Sequence, residues 1–407
     1  MPLLLRLAAR NILRQKRRTL LTALSMIGGY VLCVLSFSLS DGSYNNVIRI
    51  FTQDHTGHIQ IHKDDYTTRP QLYKYISDPA GLYERLDSIG EIRAYAPRIY
   101  APALSYAGEK NTPVQIAGID PVREVSTSRL QQKISQGQWL ATEPDADGYW
   151  QAMIGVGVAE SLRIGIGDEL ILISQGADGS VANDVYLVSA IVGERHSWDS
   201  NKVFMPVDAA RDFLNMGTGA HEIALLLRDE NKVSEMTEQL RALYPELSID
   251  PWMVVESTFF KTMESDKRGN DFTMFIIVFI VFIGVLNTVL MSVLERTREF
   301  GVLKAIGSRP VMISMLISLE TLILALGSIL LGMILGTPLI YWFANYGIVL
   351  PQPIDVGGIE FSHMTGEFSF SVFMRPALMI TAFALLVSIP PGIRAARVPP
   401  VAAMGSY

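Results

Sequence analysis

Cysteine is almost absent: Cys33 stands alone among 407 residues, so no intrachain disulfide can frame the fold. Charge is scarce as well. Asp, Glu, Lys and Arg make up 18% of the chain and apolar residues 49%, where soluble domains carry about a quarter charged. That balance excludes a disordered chain and argues against a soluble cytosolic enzyme. The motifs of nucleotide chemistry are missing too. No G-x-x-x-x-G-K-[ST] occurs, and neither Gly155-Val-Gly157 nor Gly165-Ile-Gly167 completes G-x-G-x-x-G, because Glu160 and Asp168 break the pattern. There is no G-x-S-x-G elbow and no Ser/His/Asp arrangement, so no catalytic residue and no cofactor of the chain's own are expected. Acidic residues are absent from the first 18 positions, which hold six bases: Arg6, Arg10, Arg14, Lys16, Arg17 and Arg18.

What the chain does have is long uncharged runs. A helix rises about 1.5 Å per residue and the hydrocarbon core is about 30 Å thick, so a span needs roughly 20 residues. Thr19–Ser40 is free of charge over 22 residues and Phe272–Leu294 over 23. Val311–Phe343 carries only Glu320, and Pro376–Ile393, with 18 residues, is expected to close at Pro390-Pro391. The first run follows bases as a signal peptide would, but it exceeds the usual run of about 7–15 residues and no A-x-A-like site follows. Lys and Arg gather in the amino-terminal flank, in Glu295–Pro310 (Arg296, Arg298, Lys304, Arg309) and in the tail (Arg394, Arg397). By the positive-inside rule both termini lie in the cytoplasm, and a loop at 344–375 lies outside.

The same rule puts 41–271 outside. This block holds 34 acidic and 21 basic residues, a net of 13 negative charges, which argues against nucleic acid as its partner. Its pattern predicts a β-α-β unit at each end. Gly57–His62 and Ile92–Ile99 read as strands around a helix with Leu82, Leu86 and Ile89; Glu222–Arg228 and Ser248–Val255 read as strands around a helix with Val233, Met236, Leu240 and Leu243. These ends, about 52–107 and 208–256, form one split α+β subdomain, with a mostly β insertion at 108–207. Tyr44, Val47, Ile48 and Phe51 extend the first helix outward as a stalk over 41–51, and Phe259, Phe260 and Met263 mark a second stalk over 257–271. The fold class is therefore an α-helical membrane protein with four transmembrane helices and a large external α+β domain.

His55, His58 and His62 invite a metal centre. Yet His58 and His62 alternate with Ile59 and Ile61 on the polar face of a strand, and Asp64 and Asp65 lie at no recognised ligand spacing, so no metal is expected. Glu320 is placed near the cytoplasmic surface beside a basic neighbour. Ser328, Gly332 and Gly336 recur every fourth residue, a stripe that lets helix backbones approach, either within the subunit or across a dimer. The stretch Glu295–Gly307 is too short for a domain and too patterned for a loop. Phe300, Leu303 and Ile306 offer an apolar face, Arg296, Arg298, Glu299 and Lys304 a charged one, and Gly307 a stop. Such a helix at a membrane surface suits docking to another protein, while Leu3–Arg18 reads as an interfacial helix.

At these residues the chain resembles a known family. E-R-T-R-E-F-G-V-L-K-A-I-G (Glu295–Gly307) is similar to the signature loop of MacB/FtsX-type ABC transporter permeases. Ala9–Thr19 resembles that family's amino-terminal elbow, Gly155–Asp168 its external-domain motif and 394–400 its carboxy-terminal end. The resemblance implies a dimer of four-span permeases, paired with a second copy or a homologous permease, on two cytoplasmic ATPases that bind the ATP and magnesium. It also implies a coupling helix carried by Glu295, Arg296, Arg298, Glu299, Phe300, Gly301, Leu303, Lys304 and Gly307, and mechanotransmission through the stalks.

Length and topology resemble most the lipoprotein-releasing type, LolC/LolE. For that type the resemblance implies an acyl chain leaving the outer leaflet between the first two spans, touching Met26, Phe37, Tyr44, Phe51, Met274 and Phe282. A drug or peptide efflux permease and an FtsX-like regulator of a periplasmic enzyme are the alternatives, with a periplasmic chaperone or a fusion protein as the further partner. The chaperone-docking hook of the LolC type is expected near Ser174–Asp184, where this sequence is short and lacks proline and aromatics.

Overall fold

The computed structural model describes residues 2–397 other than Gln15, His196, Gly357 and Gly358. Val398–Pro400 of the expected carboxy-terminal motif, and the tail beyond, lie outside the described residues. The chain forms two compact units. One comprises Met1–Asn46, Met263–Gln352 and Ser362–Tyr407, the other Val47–Thr262 and Pro353–Phe361.

The first unit is helical. Among the described residues four helices are long and apolar enough to cross a membrane: Thr19–Thr56, Ser257–Glu295, Pro310–Tyr346 and Phe370–Arg397. A separate helix, Pro2–Arg14, precedes them, and Thr297–Ala305 forms a short helix between the second and third. The fourth helix does not close at Pro390-Pro391 but runs through both to Arg397. Each proline removes a backbone donor; just before them Ser388 Oγ donates to Leu385 O at 2.6 Å and lies 2.8 Å from Ser318 Oγ of the third long helix. The loop expected at 344–375 contains two paired strands, Ile348–Val356 and Ile359–Met364.

The small-residue stripe is used within the subunit. A Cβ on Gly332 would stand 2.6 Å from Tyr30 Cδ1, Gly336 faces Val31 at 3.9 Å, and Ser328 is buried. Gly29 is pressed in the same way against Val281, where a Cβ would meet Cγ2 at 2.5 Å. Tyr30 cannot retreat, being fully buried with its hydroxyl donating to Phe373 O at 3.1 Å. Gly332→Leu is therefore expected to cost about 1–3 kcal/mol by overpacking. It should appear as a lower melting temperature of the purified chain, with Gly327→Leu, where a Cβ meets open space, close to wild type.

The second unit is built on ten strands: β1 Ile59–Lys63, β2 Ile92–Ala107, β3 Lys110–Ile119, β4 Ile134–Gly137, β5 Trp150–Gly155, β6 Glu169–Gln175, β7 Val181–Val192, β8 Lys202–Pro206, β9 Glu222–Leu227 and β10 Leu247–Pro251. The order β10-β1-β9-β2, antiparallel throughout, with helices Ala80–Asp87 and Val233–Leu243 each linking two strands, is the split β-α-β arrangement. Its core joins both ends of the block, Ile59, Leu82, Leu86 and Tyr95 packing with Ile223, Leu225, Met236 and Ile249.

The insertion is a closed barrel. β2 pairs β3, β3 pairs β8, β8 pairs β5, β5 pairs β7, β7 pairs β6, and β6 returns to β2. Closure leaves these strands no long free edge. Alternate residues fill the interior: Ile99, Ile116, Ile154, Leu172, Val188 and Met205, each contributing about 1.5–3 kcal/mol on burial. Helices Val156–Leu162 and Val207–Leu214 add Val158, Leu162, Ala210 and Leu214 to that core. β2 belongs to both halves, pairing β9 up to Arg98 and β3 from Arg98 onward. The insertion thus begins inside a 16-residue strand rather than at residue 108.

Candidate functional site

The stretch after the second long helix keeps its helical periodicity and gains a stop. Gly307, at φ +98°, takes the left-handed conformation that glycine adopts without strain, and Ser308 N closes the end on Leu303 O at 3.0 Å. Phe300 is 1% exposed, packed among Val293, Ile313, Ile317 and Val387. Arg296 lies across its ring, 5.1 Å from the centroid. The Arg296 guanidinium donates to Glu320 Oε2 at 2.7 Å and to Glu299 Oε2 at 3.0 Å. Glu320 Oε1 accepts from Asn11 Nδ2 of the amino-terminal helix at 2.6 Å, so one carboxylate ties three elements together. Lys304 donates to Ala396 O at 2.7 Å.

The expected apolar face divides. Phe300 is buried and Leu303 half-buried, but Ile306 is 79% exposed, and Val302 and Arg298 are exposed beside it. Gly301 is buried under this face and Glu295 exposed at its start. The connector is a helix clamped on one side and presenting an apolar-basic strip on the other.

The six residues expected along a hydrocarbon path separate likewise. Met26, Phe37 and Met274 are buried among the packed long helices, and Phe51 is fully buried in the second unit. Phe51 stacks on Phe259 at 3.9 Å and sits 6.2 Å from Trp252, pinning the outward ends of two long helices. Those four face protein because each lies on the inward side of its helix. Tyr44 and Phe282 keep partial exposure, Phe282 between Phe279 and Phe383.

In the second unit the glycines of the external motif are explained by close approach. A Cβ on Gly155 would stand 2.1 Å from Asp199 O, and one on Gly157 2.5 Å from Ser200 Oγ. Ser174–Asp184 is a tight turn and no projection: Asp178 accepts from Ser180 N at 3.0 Å and from Asn215 Nδ2 at 2.8 Å, and Ala177 N donates to Leu214 O.

His58 and His62 do share a polar side of the strand with Gln60, but that side is buried. β1 lies between β9 and β10, and His58, Gln60 and His62 are as buried as Ile59 and Ile61. Their side of the sheet holds a charged network that sequence periodicity did not reveal. Arg98 donates to Glu124 Oε1 at 2.7 Å, to Glu124 Oε2 at 3.3 Å, to Glu222 Oε1 at 3.1 Å and to His55 O at 2.7 Å, with all three charged residues buried. Glu124 is brought there by the helix Pro121–Thr127, which Asp120 caps through Val122 N and Arg123 N. Among the described residues no group of three or more His, Cys, Asp or Glu is arranged to hold a metal ion.

Burial lowers His58 to about 4, with Arg93 adding to the effect, and burial lowers His221 to about 4 as well. Both fold neutral: His58 Nδ1 accepts from Leu227 N at 2.9 Å. The unfolded chain binds these protons near pH 6.5, so stability is full above that pH and falls as pH drops toward about 4. At 1.36 kcal/mol per unit each contributes about 3 kcal/mol to that loss. Melting temperatures of the full chain are expected to fall steeply between pH 6.5 and 4, and His58→Asn should flatten the slope.

Comparison with known proteins follows this architecture. Residues 19–243 match the MacB-like periplasmic core domain and 272–400 the FtsX-like permease C-terminal domain. The chain is 24% identical over 282 residues to the macrolide export ATP-binding/permease protein MacB of Nitrobacter winogradskyi, covering 67% of this chain and 41% of that protein. It is 22% identical to an uncharacterized ABC transporter permease of Methanocaldococcus jannaschii, covering 81% of each. It is 21% identical to the lipoprotein-releasing system transmembrane protein LolC of Xylella fastidiosa, covering 76% of each. With more than half its length in the periplasmic-core family and most of the remainder in the FtsX-like permease domain, this chain belongs to the MacB/FtsX/LolC type of ABC transporter permeases.

Proposed function

We propose that the chain is a non-catalytic permease subunit that converts the movement of a separate ATPase dimer into movement of its external domain. The observation that carries this reading is the connector Thr297–Ala305, clamped through Phe300 and Arg296 and presenting Arg298, Val302 and Ile306. A rigid mount with an exposed apolar-basic strip suits transmission of force. The two helices of 38 and 39 residues, meeting at Phe51 and Phe259, suit mechanotransmission in place of an inner-membrane channel. In this reading both termini lie in the cytoplasm of a cell with an inner membrane, and the subunit pairs with a second permease.

Its cargo in this reading is a lipoprotein or another lipidated molecule in the outer leaflet. The match over 76% of LolC supports it. The similarity to MacB supports drug efflux as the second reading. Affinity purification of the tagged chain from native membranes, with mass spectrometry of what is retained, separates the two. A P-loop ATPase with acylated lipoproteins supports extraction. An ATPase with a fusion protein and no lipoprotein replaces it with efflux, and no ATPase overturns the permease reading.

A further inference from the structure

A cleft of about 620 Å³ opens in the second unit where the split sheet meets the barrel. Its size falls within the range of small-ligand sites, roughly 300–1,000 Å³, and junctions of this kind are where such sites concentrate. Tyr66, Tyr100 and Trp198 line it with Pro102, Pro113 and, at its floor, Lys202. The aromatic wall is preformed. The Tyr66 ring is held nearly parallel between His62 at 5.4 Å and His221 at 5.1 Å, and His221 is itself fixed by Leu72 O at 3.0 Å and Tyr100 N at 3.1 Å. Trp198 stands edge-on to His55 at 4.0 Å and is still 39% exposed.

The lining carries one cation, Lys202. Lys202 is 13% exposed in its side chain, and its ammonium is 3.5 Å from Asp199 Oδ1. The other oxygen of that carboxylate accepts a shorter bond, 2.9 Å, from Lys133. Lys133 also pairs with Asp54 at 3.3 Å, so Lys202 is the one ammonium of this network that lines the aromatic cleft, held by the longer contact to Asp199. Burial, with Arg98 and Lys133 nearby, holds Lys202 below the usual lysine range although Asp199 pulls it up. An anion seated on Lys202 makes a charge-assisted hydrogen bond in a partly dry site, while a ring attached to it lies against Tyr66, Tyr100 or Trp198.

We propose that this cleft is a binding site for small aromatic or ring-bearing carboxylic acids, the carboxylate on Lys202 and the ring between the tyrosines and Trp198. The site is independent of the ATPase reading, since its residues belong to the external domain alone.

The test titrates the full chain in detergent with naphthoate, naphthylmethanol and naphthylmethylamine, three probes of similar apolar body whose differing partition into micelles is measured in protein-free detergent and subtracted, read by saturation-transfer NMR. Saturable binding of naphthoate, with the alcohol and amine about tenfold weaker or unsaturable, is the expected result. Lys202→Met should remove that preference and Lys202→Arg retain it. Gln115→Trp, at an exposed position of β3 on the cleft wall, should abolish binding by filling the space and leaves the Asp199 pairing untouched, so it stands as the test if Lys202→Met fails to fold. Equal binding of the three probes, or naphthoate binding unchanged in Gln115→Trp, overturns the proposal.

Discussion

Replacing Arg98 by methionine is expected to cost about 3–5 kcal/mol of the external domain's stability. The guanidinium is 5% exposed and supplies four donor contacts, to Glu124, Glu222 and His55 O. Methionine fills much the same volume, so the loss comes from leaving two buried carboxylates facing each other with no counter-charge. It does not come from a cavity. At roughly 2–4 °C per kcal/mol for a unit of this size, the melting temperature should fall by about 10 °C. Adding Glu124→Gln and Glu222→Gln to Arg98→Met should recover most of it, because a neutral network needs no cation. If Arg98→Met melts like wild type, or if the triple variant is worse than the single, the network is not what holds β2 to the helix Pro121–Thr127.

That network also marks where sequence reading reached its limit. The four long helices were legible because a span must be uncharged over some 20 residues, and nothing in tertiary structure can relax that. The two β-α-β units were legible because Leu82/Leu86 and Val233/Met236/Leu240 keep helical spacing between short apolar strands. The face of β1 carrying His58 and His62 was misjudged because alternation reports chemistry and says nothing of depth. A polar side covered by Arg98, Glu124 and Glu222 looks the same in sequence as one covered by water. The barrel escaped notice for another reason: its closure rests on β6 returning to β2 across some 70 residues, and no local pattern encodes that pairing. Within the connector, Phe300, Leu303 and Ile306 were read as one apolar docking face, and packing of Phe300 against Val293, Ile313 and Ile317 turned it inward and left Ile306 outside. Phe51 was placed on a lipid path from its position and residue type, whereas the structure packs it against Phe259 and Trp252.

The second large effect is expected at Glu320. Glu320→Ala removes the acceptor of both Arg296 and Asn11, leaving a guanidinium that is 8% exposed with only the exposed Glu299 as partner. The connector then loses its tie to the third long helix and the amino-terminal helix, while Phe300 still anchors one turn. In the permease reading the ATPase would still dock, because Arg298, Val302 and Ile306 are untouched, but its stroke would be taken up by a loosened mount. ATP-driven cargo release in reconstituted vesicles should fall by about tenfold or more with the complex still intact on purification. Glu320→Gln keeps one acceptor oxygen for Arg296, and Asn11 can turn its amide oxygen to accept from the new Nε2–H, so this variant should retain a substantial part of the activity. Ile306→Asp should do the reverse of Glu320→Ala: an exposed side chain changes, the fold and its melting temperature stay the same, and the ATPase no longer co-purifies. Loss of the ATPase in both variants would make Glu320 a mere support of the docking strip. Full release by Glu320→Ala would mean that the carboxylate holds the fold and carries no force.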